Sequence, residues 1–329
     1  MIVARSTYKT DPGRKRRRNE DSYVCEPPLF AVADGMGGAQ AGEVASQLAA
    51  AALREGDRSN GDAKERVIAL IQEANRRVWQ RANEDASASG MGTTVTAAIV
   101  EPDGSVTFGH VGDSRAYILR GEKLEQLTDD HSLVAELVRR GELSPQEAET
   151  HPQRSVITRA LGTDPDVDVD TFEVKAIAGD VFLICSDGLS TMVDDETLRA
   201  TLAQNRGDLD AAAKALVAAA NRGGGEDNIT AVLFQVDDDD AAVDETVRLP
   251  AVDVEEPTER DPDEDTLEGV QVPAAVDTMV VSPEDAAQLL APAEPEVGGP
   301  SLGRRLLVLL VIVTLVLVIA ALVLWGLAR

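Results

Sequence analysis

The chain has 329 residues, room for one large domain or two ordinary ones, and its 58 acids against 31 bases give a formal net charge of -27. A chain this acidic is a poor candidate for binding the phosphate backbone of nucleic acid. Its two cysteines, Cys25 and Cys185, form no Cys-x-x-Cys pair and imply no disulfide framework, and aromatic residues at 3% leave Val, Leu, Ile and Ala to build the core.

The first 18 residues are polar and end in the basic run Arg14-Lys15-Arg16-Arg17-Arg18, with no apolar stretch of signal-peptide type. Short apolar runs at 22–25 and 30–33, joined by Pro27-Pro28, predict a first strand pair. Helices are expected over 41–53 and 63–85; in the second, Val67, Ile68, Ile71, Ala74, Val78 and Ala82 recur at helical spacing. Strands over 93–100, 106–111 and 115–119 follow, joined by turns at Pro102-Asp103-Gly104 and Gly112-Asp113, which reads as an antiparallel meander. Residues 127–170 are rich in charge and turns, as a surface insertion or flap would be, with short helical pieces near 132–140 and up to His151. A strand over 181–185, helices over 195–204 and 209–221, and a last strand over 229–236 complete a domain of residues 1–236. Of the three histidines, His110 reads as structural, and His131 and His151 as surface polarity in the insertion.

At Asp237-Asp238-Asp239-Asp240 the composition changes. Residues 237–303 carry 20 acids and 2 bases, without sustained periodicity, and are expected to form a disordered acidic linker; Met279-Val280-Val281 is a short apolar island within it. Residues 304–329 read as a C-terminal transmembrane anchor. Residues 306–325 are interrupted only by Thr314, and at about 1.5 Å per residue they span about 30 Å, the thickness of a bilayer core. Arg304 and Arg305 precede that stretch, so the positive-inside bias puts the N-terminal domain in the cytoplasm.

The chemistry is carried by acids at strand ends and turns. In Phe30-Ala31-Val32-Ala33-Asp34-Gly35-Met36-Gly37-Gly38 an apolar run ends on a carboxylate and turns through glycines, which let backbone oxygen approach a ligand closely. The pattern recurs in Val181-Phe182-Leu183-Ile184-Cys185-Ser186-Asp187-Gly188. Glu20-Asp21, Gly112-Asp113-Ser114-Arg115 and Glu226-Asp227-Asn228 place further acids at strand entrances and turns. Each alone is an ordinary turn signal. Together they supply hard oxygen ligands without His or Cys, which favours magnesium or manganese over zinc.

The ordered succession Asn19-Glu20-Asp21, Asp34-Gly35-Met36-Gly37-Gly38, Gly92-Thr93-Thr94, Gly112-Asp113-Ser114-Arg115, Ser186-Asp187-Gly188 and Asp227-Asn228 resembles the metal-dependent protein phosphatases of type 2C (PPM family), in their bacterial branch. The resemblance covers about residues 5–236. It implies an α+β fold, a four-layer α-β-β-α sandwich of two mainly antiparallel sheets with metals at one edge. Carried over position by position, Asp34 would bridge two Mg2+ or Mn2+ ions, with Asp187 and Asp227 on the first. Glu20 and the Gly35 carbonyl would serve the second, partly through water, and Asp21 would orient those waters. Asp113, with Asp187, would hold a third ion, and Arg16 falls where the family has its phosphate-binding arginine. Many eukaryotic members have a histidine after the Asp-Gly as general acid; Met36 stands there in this chain and cannot donate a proton.

Such a ligand set implies hydrolysis of phosphoserine and phosphothreonine by a metal-activated water, without a covalent intermediate. Neither cysteine heads the Cys-x5-Arg loop of a thiol phosphatase. The expected partners are phosphorylated proteins, among them serine/threonine kinases and their substrates. Two rivals share the fold: a phosphatase of a sigma-factor regulatory switch, and a phosphoprotein-binding module without activity. The second is disfavoured because every acidic ligand position is occupied by an acid.

Overall fold

The computed structural model describes residues 2–37, 41–56, 61–85 and 88–238, with the backbone of 279–280. The chain divides into two units, Met1–Gln288 and Leu289–Arg329. The second unit, most of the acidic segment and the expected membrane helix lie outside the described residues. Among the described residues no helix is long and apolar enough to cross a membrane.

Eleven of the described strands form two antiparallel sheets. One runs in the order β1 (Ile2–Asp11), β12 (Ile229–Asp237), β11 (Val181–Cys185), β7 (Arg115–Arg120) and β8 (Lys123–Gln126). The other runs β10 (Asp170–Lys175), β6 (Ser105–Val111), β5 (Val95–Val100), β3 (Leu29–Met36) and β2 (Asp21–Glu26), with a short β4 (Gly92–Thr93) on the end of β3. Helices α1 (Ala41–Glu55) and α2 (Ala63–Glu84) cover the second sheet with an aliphatic and alanine-rich layer. Helices α5 (Asp187–Ser190), α6 (Asp195–Gln204) and α7 (Leu209–Gly223) cover the first sheet in the same way. The described residues thus form the expected α-β-β-α sandwich. The insertion carries α3 (Leu133–Arg139), α4 (Pro145–Glu149) and β9 (Val156–Ile157).

The layer between the sheets is different in kind. All five phenylalanines of the chain meet there, with Phe30 stacked on Phe234 at 4.2 Å, Phe234 on Phe182 at 4.9 Å, and Phe108 on Phe172 at 5.0 Å. The few aromatics are therefore concentrated where two sheets must be filled across a gap of about 10 Å. The outer layers use Ala, Leu and Val, which let helices lie close to a sheet.

Four expectations need correction. β1 was not expected, because its side chains are polar and half-exposed; it forms by pairing with the almost wholly buried β12. The polar, alternating β10 was not expected either: it starts at Asp170, the last residue of the stretch read as insertion, and pairs with β6 from Asp170↔His110 to Lys175↔Ser105. The meander ends at β6: β7 pairs with β11 and β8, so the chain changes sheets at Gly112-Asp113-Ser114. Finally, Met279–Val280, within the segment read as a solvated linker, forms a two-residue strand (β13) parallel to β9.

The phenylalanine layer should dominate stability. Phe182 and Phe234 are fully buried, so Phe182→Ala should cost about 3–5 kcal/mol by lost transfer energy and an unfilled cavity. Urea unfolding should show it as a lowered midpoint; a loss below about 1 kcal/mol would mean that the sheets close over the gap.

Candidate metal centre

Asp34 lies within β3, not at its end, because Gly35 and Met36 continue the strand by pairing with Thr93 and Gly92 of β4. Its backbone is held on both sides: the Asp34 N–H donates to Thr94 Oγ1 at 3.0 Å, and its carbonyl accepts from the Thr94 N–H at 2.9 Å and Thr93 Oγ1 at 2.8 Å. On the other edge β2 places Asp21 opposite Asp34 in the ladder. The Gly35 N–H donates to the Glu20 carbonyl at 3.2 Å. A β carbon on Gly35 would stand 2.1 Å from the Gly42 carbonyl, and one on Gly42 would stand 2.7 Å from Glu20 Oε2. Strand, helix α1 and the Glu20 carboxylate converge there only because both residues lack side chains.

The other acids arrive from three elements. Asp113 sits in the sheet-to-sheet crossover, buried, and the neighbouring Ser114 Oγ meets Thr94 Oγ1 at 2.7 Å, which ties this turn to Asp34. Asp187 is the first residue of α5, just beyond β11. Ser186 before it donates from Oγ to Asp21 Oδ2 at 2.8 Å and accepts the Thr230 N–H at 3.0 Å. Asp227 precedes β12; its Oδ1 accepts the Asn228 N–H at 2.8 Å and its Oδ2 faces Arg16 Nη2 at 2.9 Å. Asn228 in turn accepts the Glu20 N–H and donates to the carbonyls of Pro12 and Arg18, fixing the basic loop over the site.

Crowding shows in the acidity of the group. Loss of water is the larger cause throughout, and neighbouring carboxylates add to it. Asp34 is held well above the ordinary carboxylate range by burial and then by Asp21, Asp187, Asp227 and Asp113. Burial and Asp187 do the same to Asp113. Asp21 is pushed up to about 7, by burial and the charges of Asp187 and Asp227, and Asp187 to about 6, by burial and Asp227.

The structure therefore brings Asp21, Asp34, Asp113, Asp187 and Asp227 into one electrostatic group, with Glu20 and Gly35 beside them. Asp21 Oδ1 is buried without a hydrogen-bond partner among the described residues. A set of carboxylates short of positive charge, with an orphaned oxygen and no nitrogen or sulfur donor, fits a hard divalent cation. Among the described residues no three acid, His or Cys side chains already form an ion-binding group; the acids are neighbours, not a closed shell.

Within the basic run, Arg16 points inward, its side chain 22% exposed on Asp227, while Arg18 is 52% exposed beside Glu43 and Arg17 is exposed. Met36 is buried against Ile157 and Ala160 of the insertion. His110 is buried as expected, with Nδ1 on Thr96 Oγ1 and Nε2 on the Asp129 carbonyl. His131 is not surface polarity: it is 3% exposed and its Nδ1 accepts the Gly112 N–H at 3.0 Å, beside Asp113. The residues that sequence reasoning left without a role are Thr94, Ser114, Ser186 and Asn228. Each stood next to a singled-out acid or in a quoted motif, and that adjacency was the available signal.

The sequence pattern of the family described as protein phosphatase 2C matches residues 16–233. The chain belongs to that family. It is 41% identical over 248 residues to the serine/threonine phosphatase stp of Listeria monocytogenes, covering 70% of this chain and 95% of that protein. It is 42% identical over 241 residues to the serine/threonine protein phosphatase PstP of Mycobacterium tuberculosis, covering 73% of this chain and 46% of that one. The crystal structure of the PstP catalytic domain in complex with two manganese ions superposes with a TM-score of 0.67 at 39% identity, over 72% of this chain and 100% of that one. Relatives of this kind make the chain a bacterial-type member of the family and a protein-serine/threonine phosphatase.

Protons and cations should compete for the acid group of this phosphatase. In the metal-free fold Asp21 and Asp187 keep protons that the unfolded chain, with carboxyl groups near 4, would release. Their contribution to stability is present below about 4 and lost as pH rises through 6 and 7. A bound divalent cation replaces those protons, so the rise in Tm on adding Mn2+ over EDTA should grow between pH 5 and pH 7.5. The buried histidines, whose acidity is shifted the other way, act equally in both arms and cancel in the difference. An increment that is zero, or flat across that range, would contradict the assignment of these acids to cations.

Proposed function

We propose that the phosphatase hydrolyses phosphoserine and phosphothreonine in proteins through the acid group at the edge of its two sheets, and that it opposes cytoplasmic protein kinases from a membrane anchor. The observation that carries the catalytic part is the convergence of five aspartates from both sheets with one inward-turned arginine. Asp34, Asp187, Asp227, Glu20 and the Gly35 carbonyl would hold Mg2+ or Mn2+, which would supply Lewis acidity toward phosphoryl oxygens and lower the pKa of water. Asp113 with Asp187 would hold a third ion.

The chain's own residues do the rest. Asp34, Asp187 and Asp227 balance the cations' charge, and Thr93, Thr94 and Ser114 keep Asp34 and Asp113 in register with each other. Asp21, oriented by Ser186, presents its unpartnered oxygen to the site. Arg16 rests on Asp227 and offers a planar fork that can transfer to the oxygens of an arriving phosphoryl group. Position 36 gives no proton to the leaving alcohol, since Met36 is an apolar contact to the insertion.

Asp34→Asn should remove most hydrolysis of a phosphothreonine peptide with the fold intact, and chelation should do the same to the parent protein. Arg16→Ala should raise KM by about tenfold to a hundredfold, the equivalent of about 1.5–3 kcal/mol for a charge-assisted contact. Arg17→Ala, at an exposed position, should change it little. Full turnover by Asp34→Asn with unchanged metal content would overturn the site; equal small effects at 16 and 17 would overturn the role of Arg16.

The anchor rests on residues 306–325, apolar throughout except for Thr314 and so suited to a bilayer, and on Arg304 and Arg305 before them. In this reading the acidic segment is a tether that holds the enzyme near membrane-bound phosphoproteins and raises its effective concentration toward them. Protease added outside intact cells should leave the phosphatase domain undigested; digestion would refute the orientation.

A further inference from the structure

A second concave site is walled in part by the loop that carries Arg16. A cavity of about 440 Å³ is lined by Lys9 and Asp11 of β1, Arg14 of the following loop, and Lys214, Asn221 and Arg222 of α7. Lys9, Arg14, Lys214 and Arg222 are exposed, and none of the four forms an ion pair among the described residues. Asp11, the one acid in the wall, accepts the Gly13 N–H at 2.9 Å and the Asn221 amide at 3.1 Å on Oδ1, fastening loop to helix and pairing with none of the four bases. The result is a positive hollow on a chain whose acids outnumber its bases.

The hollow shares a wall with the metal centre. The N–H groups of Arg14 and Lys15 both donate to the Gly225 carbonyl, at 2.7 and 3.2 Å, and a β carbon on Gly13 would stand 2.2 Å from the Asp227 carbonyl. Two residues beyond Arg14, Arg16 pairs with Asp227. One loop therefore turns a cation toward the aspartates and another toward the cavity. Four cations around one hollow repel each other until an anion enters, and an extended peptide advances about 3.3 Å per residue. A substrate segment laid over that loop would carry residues near the scissile phosphate toward the hollow.

We propose that this cavity is a substrate subsite that binds a second anionic group, an acidic side chain or a further phosphoryl group, on the phosphoprotein whose phosphorylated residue lies at the metal centre. The proposal rests on the phosphatase reading of that centre. The acidic segment after β12 offers the same chemistry in cis. It begins at Asp237, which pairs with Ile2 at the other end of β1 from Asp11, and the experiment separates the two sources.

Two phosphothreonine peptides, one flanked by Asp and Glu and one by Asn and Gln, are compared on the full chain and on its Lys214→Gln/Arg222→Gln variant, whose changes sit on the exposed face of α7. The parent should show the lower KM for the acidic peptide. The variant should raise that KM about three- to tenfold, consistent with the loss of two partly screened contacts. It should leave the neutral peptide and p-nitrophenyl phosphate unchanged. Salt near 1 M, with a Debye length of about 3 Å, should erase the preference. Equal KM values for the two peptides in the parent, or equal changes in the variant, would overturn the proposal. A fall in KM for both peptides in the variant would mean that the acidic segment fills the cavity, and would overturn it too. Anisotropy of the same peptides carrying fluorescein reads the preference without turnover. Lack of hydrolysis would therefore count against the catalytic reading alone.

Discussion

Five carboxyl groups share one edge of this molecule, and each makes ionisation of the others harder. A chain in water would keep such charges apart; here the backbone does not let them separate. Asp21 and Asp34 are opposite one another in an antiparallel ladder, so relieving their repulsion would break strand pairing in the second sheet. Asp187 and Asp227 are set by β11 and β12, adjacent in the first sheet. The repulsion is thus held against the hydrogen bonds of both sheets and the phenylalanine layer between them. That is how a site can be organised for cations before any cation arrives.

The same constraint explains which residues surround the acids. A carboxylate at a strand end can swing; one whose backbone N–H and carbonyl are both taken cannot swing far. Thr94 takes both from Asp34 and reaches Ser114 beside Asp113. Ser186 holds Asp21 while receiving the Thr230 N–H, linking the second sheet to the first. Asn228 joins Glu20 to the basic loop. Small hydroxyl and amide residues suit this work, since they donate and accept without adding charge to a site already overloaded with one sign.

Much of this was legible in the sequence. Asp34, Asp113, Asp187 and Asp227 each stand at an apolar run or a glycine turn, and apolar runs report strands directly. Arg16 could be chosen within a run of five bases only by its distance from Glu20; its inward direction is a tertiary fact. The strands β1 and β10 were hidden for a common reason. Both are edge strands with polar outward faces, and their existence is decided by the partners β12 and β6, far away in the chain. The crossing between sheets at Gly112 was hidden too, because a tight turn looks the same whether the next strand pairs with its predecessor or leaves it.

The insertion is more firmly joined to the centre than a surface flap needs to be. Leu161 bridges Thr93, whose hydroxyl is bonded to Asp34, and Ile157 and Ala160 pack on Met36, next to Gly35. His131 accepts the N–H of Gly112, next to Asp113, while Arg159 and Asp170 meet its other nitrogen. Each attachment lies within one residue of an acid or carbonyl assigned to a cation. At position 36 a methionine in place of histidine loses a proton donor and gains a flexible apolar contact that fills the gap beneath β9. On its other side β9 pairs with Met279–Val280 of the acidic segment. A displacement of the insertion would therefore have to pass through Met36 and Gly112, and both lead to the acids.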